Sequence, residues 1–207
     1  MTVKNNEEKK VKYIHLSEKD LNRSLWFSQI FLLILALFLS KIFFSEWFFI
    51  KPMLQWDLYE VFIYGGLSGL FIVVIQIILS KILPKTWMED DGLNERLFEN
   101  KPFYKVFLWT FMIAVIEEFL FRGVIQTKFG FWIAVCIFTL VHVRYLKKFG
   151  LLMILIGVSM IFGWLFQMTG NLWVTIFAHF IVDFLLVLYM KREGKIRRES
   201  YVSKAKS

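Results

Sequence analysis

Long apolar runs, separated by short charged segments, dominate this chain of 207 residues. A helix needs about 20 mostly apolar residues to cross a bilayer, and runs of this length recur along the sequence. Apolar residues make up 57% of the chain, more than the roughly 45–50% that is typical of soluble domains. We therefore predict an all-α membrane protein with about six transmembrane helices. The predicted spans are 25–44, 61–80, 103–126, 131–146, 149–166 and 172–190.

The distribution of basic residues predicts how these helices are oriented. Twenty of the 25 lysines and arginines lie before the first span, between spans two and three, between spans four and five, or in the tail. Only Lys51 and Lys128 fall on the opposite side. Because basic segments stay in the cytoplasm, both termini are predicted to be cytoplasmic. The location of the charges behind the net charge of +8 thus indicates a multi-pass membrane protein in contact with the lipid bilayer, rather than a partner of nucleic acid.

The predicted organisation has four parts. A cytoplasmic leader (1–24) precedes two accessory transmembrane helices and a cytoplasmic loop (25–102). A core of four helices (103–190) follows, and a basic cytoplasmic tail (191–207) ends the chain. The second span contains a G-x-x-x-G sequence, Gly65 to Gly69, which predicts close packing against another helix.

Ionisable side chains inside the predicted spans are the strongest indication of function. A charged group at the bilayer centre costs about 2.5–3.5 kcal/mol even on the most permissive scale. Glu118 and Arg122 are spaced i, i+4 and are predicted to pair, whereas Glu117 points about 100° away. The ionisable residues of the core are Glu117, Glu118 and Arg122 on the third span, His142 on the fourth, and His179 and Asp183 on the sixth.

Depth along the helices predicts one shared site. Counted from the outer ends of their spans, Glu117, His142 and His179 lie roughly 10–17 Å below the outer boundary, close to a midplane about 15 Å deep. Three helices therefore place costly groups at one level. The alternative is a polar clamp that only holds the bundle together, but such pairs contribute about 0.6 kcal/mol each on average.

Three motifs on these spans resemble those of a known family. E-E-x-x-x-R, F-x-x-x-H and H-x-x-x-D begin at Glu117, Phe138 and His179, in that order. This resembles the CPBP family of intramembrane proteases, which comprises CAAX prenyl proteases and bacteriocin-processing enzymes and is also called the Abi family. The resemblance covers about residues 103–190.

The resemblance implies a role for each motif residue. Glu117 would activate a water molecule, which His142 would help to hold. His179 and Asp183 would polarise the scissile carbonyl or stabilise the oxyanion. An ionised carboxylate cannot donate a hydrogen bond, so Asp183 is better suited to orienting His179 or to binding a metal.

The second glutamate of the first motif allows two interpretations. Glu118 and Arg122 are candidate catalytic residues with the four above. Equally, an ion pair within one helix can simply neutralise itself in the membrane.

The sequence leaves open how the water is activated. Glu117, His142 and His179 form a set of two histidines and one carboxylate, which could hold Zn²⁺ with an open fourth position. The chain has no H-E-x-x-H sequence, and a water activated by Glu117 alone is the alternative. No organic cofactor is predicted.

The leading functional hypothesis is an intramembrane endopeptidase of a bacterial plasma membrane, either a metalloprotease or a glutamate-dependent protease. Its substrate would be a membrane protein or a membrane-associated peptide. The alternative is a non-catalytic scaffold, or a bacteriocin-immunity or regulatory protein of the same fold. An ion or proton transporter is disfavoured, because spans three to six contain none of the prolines that often break transporter helices.

Overall fold

The computed structural model describes residues 17–88 and 92–206, and within these ranges the chain forms helices and turns but no strand. The longer helices are α1 (Glu18–Phe43), α2 (Glu60–Ile82), α3 (Phe103–Glu118, continued by a π-helical stretch, Phe119–Gln126, and a last turn, Thr127–Phe129), α4 (Phe131–Val141), α5 (Phe149–Thr169) and α6 (Leu172–Lys206). Shorter helical segments are Trp47–Leu54, Lys85–Met88, Leu93–Phe98 and Tyr145–Lys147. The predicted all-α fold is confirmed. Most of the predicted leader, residues 1–16, lies outside the described residues.

Within residues 17–88 and 92–206, four helices are long and apolar enough, by length and composition, to cross a membrane: α1, α2, α5 and α6 as far as Gly194. Helix α3 is also long, but it carries the three charged residues of the first motif, which lower its hydropathy. The outward faces of the bundle are apolar, and α1 alone exposes Phe27, Phe31 and Phe38. Such surfaces are stable where lipid, and not water, is the solvent.

The fourth predicted span, 131–146, is longer than the helix that forms there. Helix α4 has 11 residues, about 16 Å, which is half of the hydrocarbon core. It ends because the backbone of His142 leaves the helical region, with φ −85° and ψ 52°. Nδ1 of the same residue lies 2.7 Å from the carbonyl oxygen of Phe138, so the side chain caps the last turn.

The ends of several helices meet at one end of the bundle. Lys101, just before α3, forms an ion pair with Glu18 at the start of α1. Nζ of Lys191, on α6, donates to three backbone carbonyls that precede α3, at 2.6–3.0 Å. Asn94 donates to the hydroxyl of Tyr145, between α4 and α5, over 3.1 Å. The charge pattern predicts that the leader, the connections between spans two and three and between spans four and five, and the tail share one side. Where the structure describes these segments, they are neighbours.

The opposite end of the bundle joins α1, α2, α3 and α6. The rings of Phe43 and Phe129 meet edge to face, with centroids 5.0 Å apart. Nδ2 of Asn171, at the start of α6, donates to Oε2 of Glu60 over 3.1 Å. Helices α1 and α3 thus run parallel and touch near both of their ends.

The predicted close helix contact lies between α2 and α6. A Cβ atom on Gly65 would be 2.6 Å from the carbonyl oxygen of Val174, and one on Gly69 would be 2.9 Å from that of Ala178. Real Cβ atoms do not approach oxygen this closely, so only glycine allows the two backbones to meet. This packing sets the position of the α6 face that carries His179.

Candidate active site

Glu118 and His179 join α3 to α6 inside the bundle. Nδ1 of His179 donates to Oε1 of Glu118 over 2.9 Å, and Glu118 is fully buried. Nε2 on the other side of the ring lies 3.5 Å from Oδ2 of Asp183, one turn further along α6. Phe162 of α5 stacks on the imidazole, with ring centroids 5.2 Å apart. The hydrogen bond at Nδ1 fixes the ring, so Nε2 is the nitrogen that faces Asp183.

Arg122 ties the same glutamate to two further helices. Nε of Arg122 lies 3.4 Å from Oε2 of Glu118, which confirms the predicted i, i+4 pair. One terminal nitrogen, Nη2, donates to the backbone oxygen of Ser159 on α5 over 3.3 Å. The guanidinium also lies over the ring of Phe138 on α4, 5.0 Å from its centroid. Glu118 and Arg122 therefore form the buried centre that holds α3, α4, α5 and α6 together.

Glu117 faces a different helix from its neighbour, as the predicted 100° separation requires. Its side chain is 8% exposed, and its only hydrogen-bond partner within the described residues is Gln29 of α1. Nε2 of Gln29 donates to Oε1 of Glu117 over 3.4 Å, which is a long hydrogen bond. No lysine, arginine or histidine of the described chain forms an ion pair with this carboxylate.

A π-helical stretch follows the two glutamates directly. It runs from Phe119 to Gln126, and every residue from Leu120 onward is buried. The wider turn changes the register of α3 after the glutamates, and such π-helical segments are frequent at functional sites. Nothing in the hydropathy pattern of the sequence predicts this change.

His142 stands apart from the other predicted site residues. Its ring is half-buried, is bonded through Nδ1 to its own helix, and lies against Phe138 and Tyr145. The sequence predicts that Glu117, His142 and His179 share one site, and in the described chain no direct hydrogen bond joins any two of them. The helices of the two histidines, α4 and α6, nevertheless both pack against the buried part of α3.

A metal site would require a closer arrangement of these residues. Within the described ranges, no group of three or more His, Cys, Asp or Glu side chains is placed to hold a metal ion. Zn²⁺ binding by Glu117, His142 and His179 therefore stays a sequence prediction, which the observed side-chain positions do not fit.

Several buried polar atoms around the glutamates lack a hydrogen-bond partner within the described chain. Two are Oε1 of Gln29 and Nη1 of Arg122. Two more, Oε2 of Glu118 and Nε of Arg122, face each other at 3.4 Å in the ion pair described above, without the geometry of a hydrogen bond. Buried polar groups are rarely left without a partner unless they serve water or a ligand. This part of the bundle is therefore suited to binding water.

Gln29 is a residue that the sequence analysis missed. It is 4% exposed in α1, on an accessory helix that lies outside the three motifs. A signal was present, because a single glutamine interrupts an apolar run, but the sequence does not indicate which helix it faces.

Comparisons with known proteins agree with the motifs. Residues 99–185, which contain all six predicted site residues, match the family model described as type II CAAX prenyl endopeptidase Rce1-like. The chain is 32% identical over 173 residues to the uncharacterized protein YpbD of Bacillus subtilis (strain 168). That alignment covers 82% of this chain and 90% of the relative. No solved structure matches the chain. By its motifs, its helical fold and this similarity, the chain belongs to the Rce1-like family of type II CAAX prenyl endopeptidases.

Proposed function

We propose that the protein is an intramembrane endopeptidase of a bacterial plasma membrane, which hydrolyses a peptide bond of a membrane-associated protein or peptide. One observation carries the proposal. Two adjacent glutamates are buried, yet Glu118 is held by His179 and Arg122, whereas Glu117 has only one long hydrogen bond to the part of the chain that the structure describes. A buried carboxylate that pairs with no cation is available to accept a proton from water.

In the proposed hydrolysis, Glu117 carries a proton from the attacking water to the leaving amine. One proton of a water molecule passes to its carboxylate while the water oxygen bonds to the scissile carbonyl carbon. The resulting tetrahedral oxyanion collapses, the carbon–nitrogen bond breaks, and the same proton passes from Glu117 to the leaving amine. The net reaction consumes one water and returns Glu117 to its starting state.

The histidines and Asp183 support this reaction in different ways. In the protonated imidazole of His179, Nδ1 donates to Glu118 and Nε2 can donate to the developing oxyanion, while the carboxylates of Glu118 and Asp183 balance the positive charge. Asp183 lies 3.5 Å from Nε2 and is a third exposed, so the site opens to a substrate at this point. Nδ1 of His142 is bonded to a carbonyl, which leaves its Nε2 as an acceptor for water.

The proposal is tested without a known substrate by comparing whole membranes. Cells that produce the wild type or the Glu117→Gln variant are compared by mass spectrometry for new peptide termini in membrane proteins. We expect termini that depend on Glu117, because the amide keeps the shape of the side chain but takes no proton. The matched control is Glu193→Gln, at an exposed position of α6, which is expected to give the wild-type pattern.

Kinetics with the peptide most strongly cleaved in that comparison then rank the residues. General-base catalysis contributes about 10²- to 10⁴-fold, and Glu117→Gln is expected to lose this factor. We expect His142→Ala and His179→Ala to be similarly severe. Identical sets of termini from the wild type and Glu117→Gln would contradict a protease and favour the non-catalytic scaffold.

A further inference from the structure

Gln29 places an amide from accessory helix α1 against the motif-bearing helix α3. It is 11 residues from the start of α1, inside the apolar part of the helix, and is 4% exposed. The family match begins only at residue 99, so no motif assigns a role to this residue.

The chemistry of the contact fixes the orientation of the amide. A carboxylate only accepts hydrogen bonds, so the nitrogen of Gln29 must face Oε1 of Glu117, as observed. The amide oxygen then points elsewhere, and it is buried without a hydrogen-bond partner in the described chain. A buried carbonyl that protein atoms leave unsatisfied is a position at which water binds.

Gln29 is not needed to attach α1 to the bundle. The two helices are already joined by the ion pair between Glu18 and Lys101 and by the ring contact between Phe43 and Phe129. Both contacts lie far from Gln29 along α1. A buried amide whose oxygen is unsatisfied would weaken this interface if its only role were structural.

We propose that Gln29 is a further catalytic residue, which holds the water that Glu117 activates. Its Nε2 orients the carboxylate, and its Oε1 accepts a hydrogen bond from one O–H of the water. The other O–H then points to Glu117, and the oxygen lone pair is free to attack the carbonyl carbon. Gln29 itself gains and loses no proton. This inference rests on the proposed role of Glu117, and it extends the active site to an accessory helix.

The first experiment replaces the amide by an apolar side chain of similar length. In full-length protein reconstituted in vesicles, Gln29→Met is expected to lower kcat about 10- to 100-fold, the loss expected for a hydrogen bond to a charged group. KM is expected to stay within about twofold, because Gln29 contacts the water and not the peptide. The matched control is Gln76→Met on α2. Gln76 makes no hydrogen bond within the described chain, and its variant should stay within about twofold of wild type.

A second experiment separates this role from a structural one. If Gln29 acts on the water that Glu117 activates, Gln29→Met should lower the residual rate of Glu117→Gln no further. If Gln29 has a structural or an independent role, the two effects on the activation free energy should add. The rate of the double variant would then be 10- to 100-fold below that of Glu117→Gln, the same factor that Gln29→Met shows alone. Equal residual rates for Glu117→Gln and the double variant support the inference, and an additive loss overturns it.

The outcomes distinguish this inference from the proposed function. Full activity in Glu117→Gln would remove the proposed base and this inference with it. An inactive Glu117→Gln beside a fully active Gln29→Met would overturn only the role of Gln29. If Gln29→Met does not fold, Gln29→Asn decides, since it keeps the amide but shortens its reach. An intermediate kcat for that variant supports the inference, and the wild-type kcat contradicts it.

Discussion

Nδ1 of His179 and Oε1 of Glu118 lie 2.9 Å apart, and their hydrogen bond connects α6 to α3 inside the bundle, where Glu118 is fully buried. The bond gives the two adjacent glutamates different tasks. Glu118 is bound to His179 and Arg122, while Glu117, on another face of the same helix, accepts one long hydrogen bond from Gln29 within the described residues and is the proposed base. The structural role of Glu118 thus follows from its contacts, and the proposed reactive role falls to Glu117.

The first prediction is that the two glutamates differ in their effect on stability. Glu118→Gln should lower the free energy of unfolding by about 3 kcal/mol, because it leaves the buried charge of Arg122 uncompensated. Glu117→Gln should leave stability close to wild type, since the only hydrogen bond of this carboxylate within the described residues is the long one from Gln29. Thermal unfolding of both variants in the same detergent measures the difference. Equal stabilities would contradict the assigned division of roles.

The second prediction concerns Asp183. Asp183→Asn should reduce kcat by no more than about tenfold, because the amide oxygen can still accept from Nε2 of His179 and a weak hydrogen bond contributes about 0.5–1.5 kcal/mol. Asp183→Ala, which removes the acceptor, should be more harmful. Steady-state kinetics of both variants decide, and the prediction is wrong if the Asn variant is as impaired as the Ala variant.

Much of the architecture could be predicted because it follows from local rules. Apolar runs predicted the helices, the positions of basic residues predicted which connections lie together, and helical geometry predicted that Glu117 and Glu118 diverge. The early end of α4 could not be predicted in this way. It depends on the side chain of His142 capping its own helix, and hydropathy does not describe such a contact.

The contacts of the site depend on packing between distant parts of the chain. Gln29 and Glu117 are 88 positions apart, and the amino-acid sequence does not indicate that α1 lies beside α3. The same limit applies to the shared site that depth predicts for Glu117, His142 and His179. Equal depth in the membrane is necessary for two side chains to meet, but the direction of each side chain also depends on how the helices are rotated.

The third prediction uses two glycines to test the contact between α2 and α6. Gly65→Ala should destabilise the protein, because its Cβ would be 2.6 Å from the backbone oxygen of Val174. Gly157→Ala on α5 is the matched control, since no atom lies within 4 Å of its Cβ position. The control should be neutral or more stable by up to about 1 kcal/mol, the difference in helix propensity. Unfolding in detergent compares them, and equal effects would exclude close packing at Gly65.

The fourth prediction concerns metal removal. We expect peptide cleavage to continue in the presence of a chelator, because the described residues offer no group of three ligands for a metal ion. A zinc peptidase treated in the same way serves as the control and should lose its activity. Loss of cleavage that added Zn²⁺ restores would contradict this prediction and favour the alternative of a metal-bound water.

The last prediction concerns membrane topology. Reporter fusions after Lys51 and Gln167 should be external, and fusions after Met88, Lys147 and Ser200 should be cytoplasmic. The charge asymmetry predicts these sides, and the contacts at the inner end of the bundle predict which connections must agree. Asn94 bonds to Tyr145, and Lys191 bonds to the carbonyls before α3, so these three segments cannot lie on different sides. If the fusions after Met88 and Lys147 report opposite sides, the fold is contradicted. If the fusions after Met88, Lys147 and Ser200 are all external, only the predicted orientation is contradicted.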